Sequence, residues 1–330
     1  MTRRRPLLQA GLLLPALPWP ALAPPASAQE PGWPSRPIRL IVPYAPGGGT
    51  DVVARAVADR AGRLLNATIV VDNRPGGAGN LATQMAAEAA PDGYTLLVGN
   101  IGPIAVNPSL FRNLRPDPAE ALAPVTLLAA APLLILANPK LPVTSLAELI
   151  ALARQKPGSL NYGSAGNGSA NHLAGAYLAL KAGIEIQHVP YRGAGPALND
   201  LVSGTLQIMP ATLPSAIGMV KDGLVRALAV TSPRRVPALP ELPTVAEAGV
   251  AGYEMSGWYG VMAPARTPPA IVARLQQAIA AALQDPEVRA RIESEGAEPS
   301  GMAPEAFGRF AAAERAKWAE VVREARISID

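Results

Sequence analysis

The sequence predicts a two-lobed α/β fold in which each lobe is a mainly parallel sheet flanked by helices, with a cleft between the lobes. Three observations predict it. Short β-branched runs alternate with Gly- or Pro-rich turns and with segments whose apolar residues recur three and four apart, the pattern of βαβ units. Two long apolar stretches, Val125 to Ala137 and Tyr253 to Met262, read as buried strands that pass between lobes. The alternation restarts after the first of them, which makes lobe 1 discontinuous, 29–130 plus 252–330, and lobe 2 the segment 131–251.

The elements follow in order. Residues 1–28 carry Arg3-Arg4-Arg5, an apolar stretch from Leu7 to Leu22 and the small-x-small site Ala26-Ser27-Ala28, so they are expected to be a signal peptide that is removed. Pro15, Pro18 and Pro20 interrupt the stretch, which argues against a membrane anchor. Arginines ahead of Leu7-Leu8 leave the Sec and twin-arginine export routes both open. Arg39 to Val42 is the first predicted strand, Gly47-Gly48-Gly49 its turn, and Asp51 is placed as the N-cap of a helix with Val53, Val57, Ala61 and Leu64 on one face. Strands at Thr68–Val71 and Thr95–Val98 bracket the loop Asn73 to Gly79 and a helix near Asn80 to Ala89. In the second lobe, strands at Leu160–Tyr162, Gln187–Pro190 and Val225–Val230 alternate with helices opening at Ser169 and Pro196, the latter stopped by Gly204. Pro268-Pro269, Asp285-Pro286 and Ala303-Pro304 open three helices in the last 60 residues.

Composition excludes several function classes. The 330 residues contain no Cys and 2 His, which rules out thiol catalysis, iron–sulfur clusters and sulfur-rich zinc sites and leaves no expectation of a metal or a cofactor. Removing Arg3, Arg4 and Arg5 from the 29 basic residues leaves 26 against 25 acidic, and no basic run follows, so nucleic acid is not an expected partner. After the leader no run of 18 apolar residues occurs, so the mature chain is expected to be soluble outside the cytoplasm.

Four Gly-rich loops, at 45–51, 74–80, 163–169 and 192–196, each sit between a strand and a helix. Such loops turn backbone N–H groups and a helix N-terminus toward an anion, whereas one loop alone is equally a tight turn needing positive φ. None has the Lys and hydroxyl of a P-loop, and no G-x-G-x-x-G follows a strand. Ser164, Ser169 and His172 are close in sequence without a G-x-S-x-G elbow, so His172 is read as structural or ligand-contacting and His188 as packed in a strand. Arg192 is either a bidentate fork for a carboxylate or an ordinary surface arginine. Tyr44, Tyr162, Tyr191 and Trp258 fall at predicted cleft edges, where packing is the alternative.

Eight segments then carry a family resemblance: PIRLIVPYAPGGGTDVVAR from Pro37, VDNRPGGAGN from Val71, PDGYTLL from Pro91, NYGSAGNGSANHLAG from Asn161, HVPYRGAGPALNDL from His188, RALAVTS from Arg226, LPELPTVAEAGVAGYE from Leu239 and WYGVMAPARTP from Trp258. In this order they resemble the Bug family, the periplasmic solute receptors of tripartite tricarboxylate transporters. The resemblance implies a type II periplasmic-binding-protein-like fold, no enzymatic activity, and an expected monomer that captures a small organic carboxylate and delivers it to membrane permease subunits. It maps ligand contacts onto Tyr44, Gly48, Gly49, Thr50 and Asp51 with Asn80 in lobe 1, onto Ser164, Asn167, Gly168, Ser169, His172 and Arg192 in lobe 2, and onto Thr212 and Trp258. Where relatives commonly read Val-Asp-Leu-Met-Phe-Asp, this chain has Leu206 to Ala211 with neither acid, which disfavours a ligand carrying an ammonium group. Presentation of the bound ligand to a sensor kinase is the alternative function; an enzyme acting on carboxylates or phosphates is a third, without a nucleophile–base motif to support it.

Overall fold

The computed structural model describes residues 32–327 apart from Ala45, Gly48, Arg112, Arg192, Glu295 and Arg326. The expected leader, and with it the export route, lies outside the described residues, as do the expected contacts Gly48 and Arg192. Contacts divide the chain into Met1–Trp33 and Pro34–Asp330, and every element below belongs to the second unit.

The first half follows the predicted alternation. Strand β1 (Ile38–Val42) leads into helix α1 (Gly49–Leu65), which buries Val53, Ala54, Val57, Ala58, Ala61 and Leu65 along one stripe. Asp51 is therefore the third residue of α1 and not its N-cap, because the helix opens two residues earlier, at Gly49. Leu64, assigned to the buried face by the sequence, is exposed, and Leu65 takes that place. Strand β2 (Ile69–Asn73), a 3₁₀ turn (Gly77–Gly79), α2 (Asn80–Ala87) and β3 (Thr95–Asn100) follow. A fully buried π-helical turn (Ile101–Val106) continues directly from β3 into the short helices α3 (Asn107–Leu110) and α4 (Pro118–Ala121).

The predicted long strand is β4 (Leu122–Ala137), three residues longer than expected at its start. Beyond it lie α5 (Leu146–Gln155), β5 (Asn161–Ser164), α6 (Ala170–Ala182), β6 (Gln187–Pro190), α7 (Ala194–Ser203), β7 (Ile208–Thr212), α8 (Leu213–Lys221) and β8 (Arg226–Val230). The second long strand, β9 (Ser256–Pro264), returns the chain to the first half. It ends with α9 (Pro269–Ala282), α10 (Pro286–Ser294), the two-residue β10 (Glu298–Pro299) and α11 (Pro304–Glu324), each helix beginning at the predicted proline.

Two half-sheets share β4. The first runs β2-β1-β3-β9-β4, with β1 parallel to β2 and β3 and with β9 antiparallel to both of its neighbours. In the second, Leu133–Ala137 of β4 lies between β7 and β8, and β5 pairs in parallel with β6 and β7. At about 3.3 Å per residue β4 spans roughly 50 Å, enough to serve both halves. Its side chains alternate between faces: Leu133 and Ile135 join the core that includes Trp258 and Trp318, while Leu134 and Leu136 join the core of Leu198, Leu201 and Met209. The fold is thus an α/β, two-lobed arrangement of half-sheets covered by helices. No described helix is long and apolar enough to cross a membrane.

Candidate functional site

Parallel strands bring the loops at their carboxyl ends to one edge of each half-sheet, the edge at which open α/β sheets bind ligands. In the first half this edge carries the loop after β1, Asn73 at the end of β2 and Asn100 at the end of β3. One network shapes it. Asp51 accepts from the Gly47 N–H at 3.0 Å, from Arg55 Nε at 3.0 Å and from Asn73 Nδ2 at 2.9 Å. Asn73 Nδ2 also donates to the Tyr44 carbonyl at 2.9 Å, and the Tyr44 hydroxyl donates to Asn100 Oδ1 at 3.1 Å. Burial alone would raise the Asp51 pKa, but the hydrogen bonds from Arg55, Gly47 and Asn73 outweigh it and hold the carboxyl below its ordinary value. Asp51, 4% exposed, is therefore committed to holding the loop and the start of α1 in place.

Thr50 is buried, and Asn80 is half-buried with its Oδ1 accepting from Asn107 Nδ2 at 2.6 Å. Gly49 is half-buried; a Cβ on it would stand 2.8 Å from the Tyr259 hydroxyl. The neighbouring Trp258 is 1% exposed, with Phe307 and Phe310 against its ring and its Nε1 donating to Glu314 at 3.2 Å. Strand alternation explains the exchange: Trp258 and Tyr259 point to opposite faces, and the aromatic beside the α1 terminus is Tyr259, which the sequence reading passed over.

In the second half, Ser164 ends β5, and Ser169 caps α6 by accepting from the His172 N–H at 3.3 Å. The Gly168 N–H donates to His172 Nδ1 at 3.1 Å, which puts the proton of the neutral imidazole on Nε2. His188 stacks on His172 with centroids 3.8 Å apart and rings 10° from parallel, and its Nε2 lies 2.6 Å from Ser164 Oγ. Burial lowers His172 to about 4; burial, and then the neighbouring His172, lower His188 to about 3, so both are neutral near pH 7. Asn167 is exposed, and Thr212, at the end of β7, is half-buried with its hydroxyl 2.9 Å from Ser215 Oγ.

Several neighbours of these residues escaped the sequence reading. Asn73 lies in the VDNRPGGAGN segment but drew no role from it, Asn100 and Asn107 carry no motif, and the His172–His188 stack joins residues on separate elements. Ser164 and His188 have the spacing of a nucleophile and its base, yet Ser164 is wholly buried and its hydroxyl also accepts from the Gly166 N–H at 3.0 Å. No group of three metal-ligating residues occurs among the described residues.

A two-part α/β fold with polar loops at the carboxyl edges of both half-sheets, and with neutral imidazoles and the committed Asp51 carboxylate, defines a small-molecule binding protein. The chain matches the tripartite tricarboxylate transporter family receptor over residues 53–327 and belongs to that family, one of receptors and not of enzymes. It is 38% identical over 304 residues to the protein BugT of Bordetella pertussis, covering 92% of this chain and 93% of that one. An R. palustris protein solved with adipate superposes with a TM-score of 0.82 at 40% identity, covering 90% of this chain and 99% of that one. MatC from Rhodopseudomonas palustris, solved with bound malate, gives a TM-score of 0.78 at 34% identity over 88% of this chain and 100% of that one.

Proposed function

We propose that this chain is an exported periplasmic receptor that captures a small organic carboxylate in a cleft between lobe 1, 29–130 plus 252–330, and lobe 2, 131–251, and hands it to the permease subunits of a tripartite transporter. The observation that carries the proposal is that two helices of more than ten residues, α1 and α6, start at the carboxyl edges of their half-sheets, each beside polar loop residues. Each offers unpaired backbone N–H groups and the positive end of a helix dipole to a carboxylate. Tyr44, Gly48, Gly49, Thr50 and Asn80 would face one end of the ligand, and Asn167, Gly168, Ser169, His172 and Arg192 the other. Three charge-assisted hydrogen bonds of about 1.5–3 kcal/mol each approach the roughly 8 kcal/mol of micromolar affinity. Relatives solved with adipate and with malate support the carboxylate class.

The ligand is proposed to lack an ammonium group. Asp51 has its carboxylate filled by three donors and is the one acidic side chain in the four Gly-rich loops. Of the two replaced acids, position 207 lies ahead of β7, where Gln207 Oε1 accepts from the Asn161 N–H at 3.0 Å, away from the carboxyl edge. Ala211, fully buried one residue from the end of β7, is the change that bears on the cleft.

A thermal-shift screen of the chain from Gln29 tests this. A carboxylate at 100 times its dissociation constant adds about 2.7 kcal/mol, and each kcal/mol raises the midpoint by about 2–4 °C. Malate, succinate or adipate should shift the midpoint more than aspartate or glutamate. A shift from amino acids or sugars alone would refute the proposal.

A further inference from the structure

Asn107 opens α3 and has no exposed surface. Its Nδ2 is committed twice, donating to the Ala78 carbonyl at 3.0 Å and to Asn80 Oδ1 at 2.6 Å, which ties the 3₁₀ turn to the π-helical turn. Its Oδ1 is buried and receives no hydrogen bond from any donor among the described residues. The neighbour on that side belongs to the other half: a Cβ built on Gly168 would lie 3.5 Å from Asn107 Oδ1 and 3.3 Å from Leu110 Cδ1. Gly168 cannot satisfy the acceptor, because its single N–H already goes to His172 Nδ1. Its carbonyl turns toward Gly102, 3.6 Å from where a Cβ on that residue would stand. Gly168 holds a φ of +73°, so the close approach depends on its having no side chain.

We infer that Asn107 is a positioning residue that makes closure of the two halves depend on ligand: the Gly168 loop buries its Oδ1 without giving it a donor. The inference rests on the reading of this edge as a ligand cleft. When the loop of residues 166–169 withdraws, water solvates Oδ1; when the loop returns, that solvation is lost and no donor among the described residues replaces it. Closure of the empty cleft is thereby disfavoured, and ligand contacts to both halves supply the difference. Apparent affinity scales with the fraction of molecules able to close, so a change at this contact alters affinity without touching the ligand.

The chain has no cysteine, so Gln284→Cys and Glu185→Cys accept a single pair of spin labels, one in each half, whose separation reports closure. Asn107→Leu removes the orphaned acceptor at similar volume, together with the two hydrogen bonds of Nδ2, whose loss lowers the melting midpoint. With it, the ligand-free distance distribution should move toward the ligand-bound one, and the probes adipate and malate should bind about fivefold or more tightly than to the parent. Gly168→Ala has the opposite sign: a methyl group at positive φ against Leu110 should open the ligand-free protein and weaken both probes about tenfold or more. Weaker binding by Asn107→Leu with unchanged ligand-free distances would overturn the inference, since the acceptor would then not hold the halves apart. So would a Gly168→Ala protein with unchanged distances and affinity. If Asn107→Leu does not fold, as its melting midpoint reports, the ligand-free distances of Gly168→Ala decide, because Gly168 is itself a proposed ligand contact and its affinity alone would not. Failure of the parent to bind either probe would count against the proposed carboxylate function, while the ligand-free distances would still decide the role of Asn107.

Discussion

Replacing Asp51 by Ala separates a residue that shapes the cleft from one that touches ligand. The carboxylate is 4% exposed and accepts from Gly47, Arg55 and Asn73. Hydrogen bonds to a charged group contribute about 1.5–3 kcal/mol each. The Arg55 side chain is 51% exposed, so its share is strongly screened and falls to the low end of surface ion pairs. Asp51→Ala should therefore destabilise by about 2–4 kcal/mol in urea denaturation, and Asp51→Asn, which keeps an acceptor, by less. Affinity for a carboxylate should fall about tenfold in Asp51→Ala and by less in Asp51→Asn, because the loop after β1 loses its anchor. Since the carboxyl is held below its ordinary value of 3.8, its contribution is present above that pH and is lost as pH falls through the folded value. A large loss of affinity in Asp51→Ala with stability changed by under about 0.5 kcal/mol, the range of a neutral surface change, would refute the positioning role and make Asp51 a direct contact.

Two further outcomes are expected. Trp258→Ala should cost about 3–5 kcal/mol, as for a buried aromatic, with binding by the folded fraction unchanged, whereas Tyr259→Ala should weaken carboxylate binding at a small stability cost; calorimetry on both variants checks the exchange of roles. The histidines, held at about 4 and about 3 against an ordinary 6.5, are neutral in the fold, so protonation of the unfolded chain lowers stability as pH drops below 6.5. Their contribution is complete above about pH 7 and falls by ~1.4 kcal/mol per pH unit for each histidine down toward the folded values; urea denaturation between pH 7.5 and 5 should show this slope, and His188→Gln should remove about half of it. A slope that His188→Gln leaves intact would assign it elsewhere.

Much of the scaffold was legible because its signals are local. A proline at the first turn marked the starts of α9, α10 and α11, Ser169 marked the cap of α6, and the nearly continuous apolar run marked β4. What escaped depends on distance or on facing. The β7 and α8 pair shows no clear apolar period, and α5 was not singled out although Ser145 caps it. Trp258 and Tyr259 are adjacent on a strand, and nothing short of register says which one turns inward. His188 looked like one more packed strand residue, and only the return of β6 beside β5 sets it over His172. Asn73, Asn100 and Asn107 act through partners 22 to 56 positions away, a range at which no spacing rule operates.

Hydrogen exchange with and without saturating adipate or malate tests the central claim, capture between two halves, most directly. Added protection is expected in both sets of loops together, residues 43–51 and 100–107 of the first half and 164–172 of the second. Protection confined to one half, or appearing only at surfaces away from these loops, would contradict it.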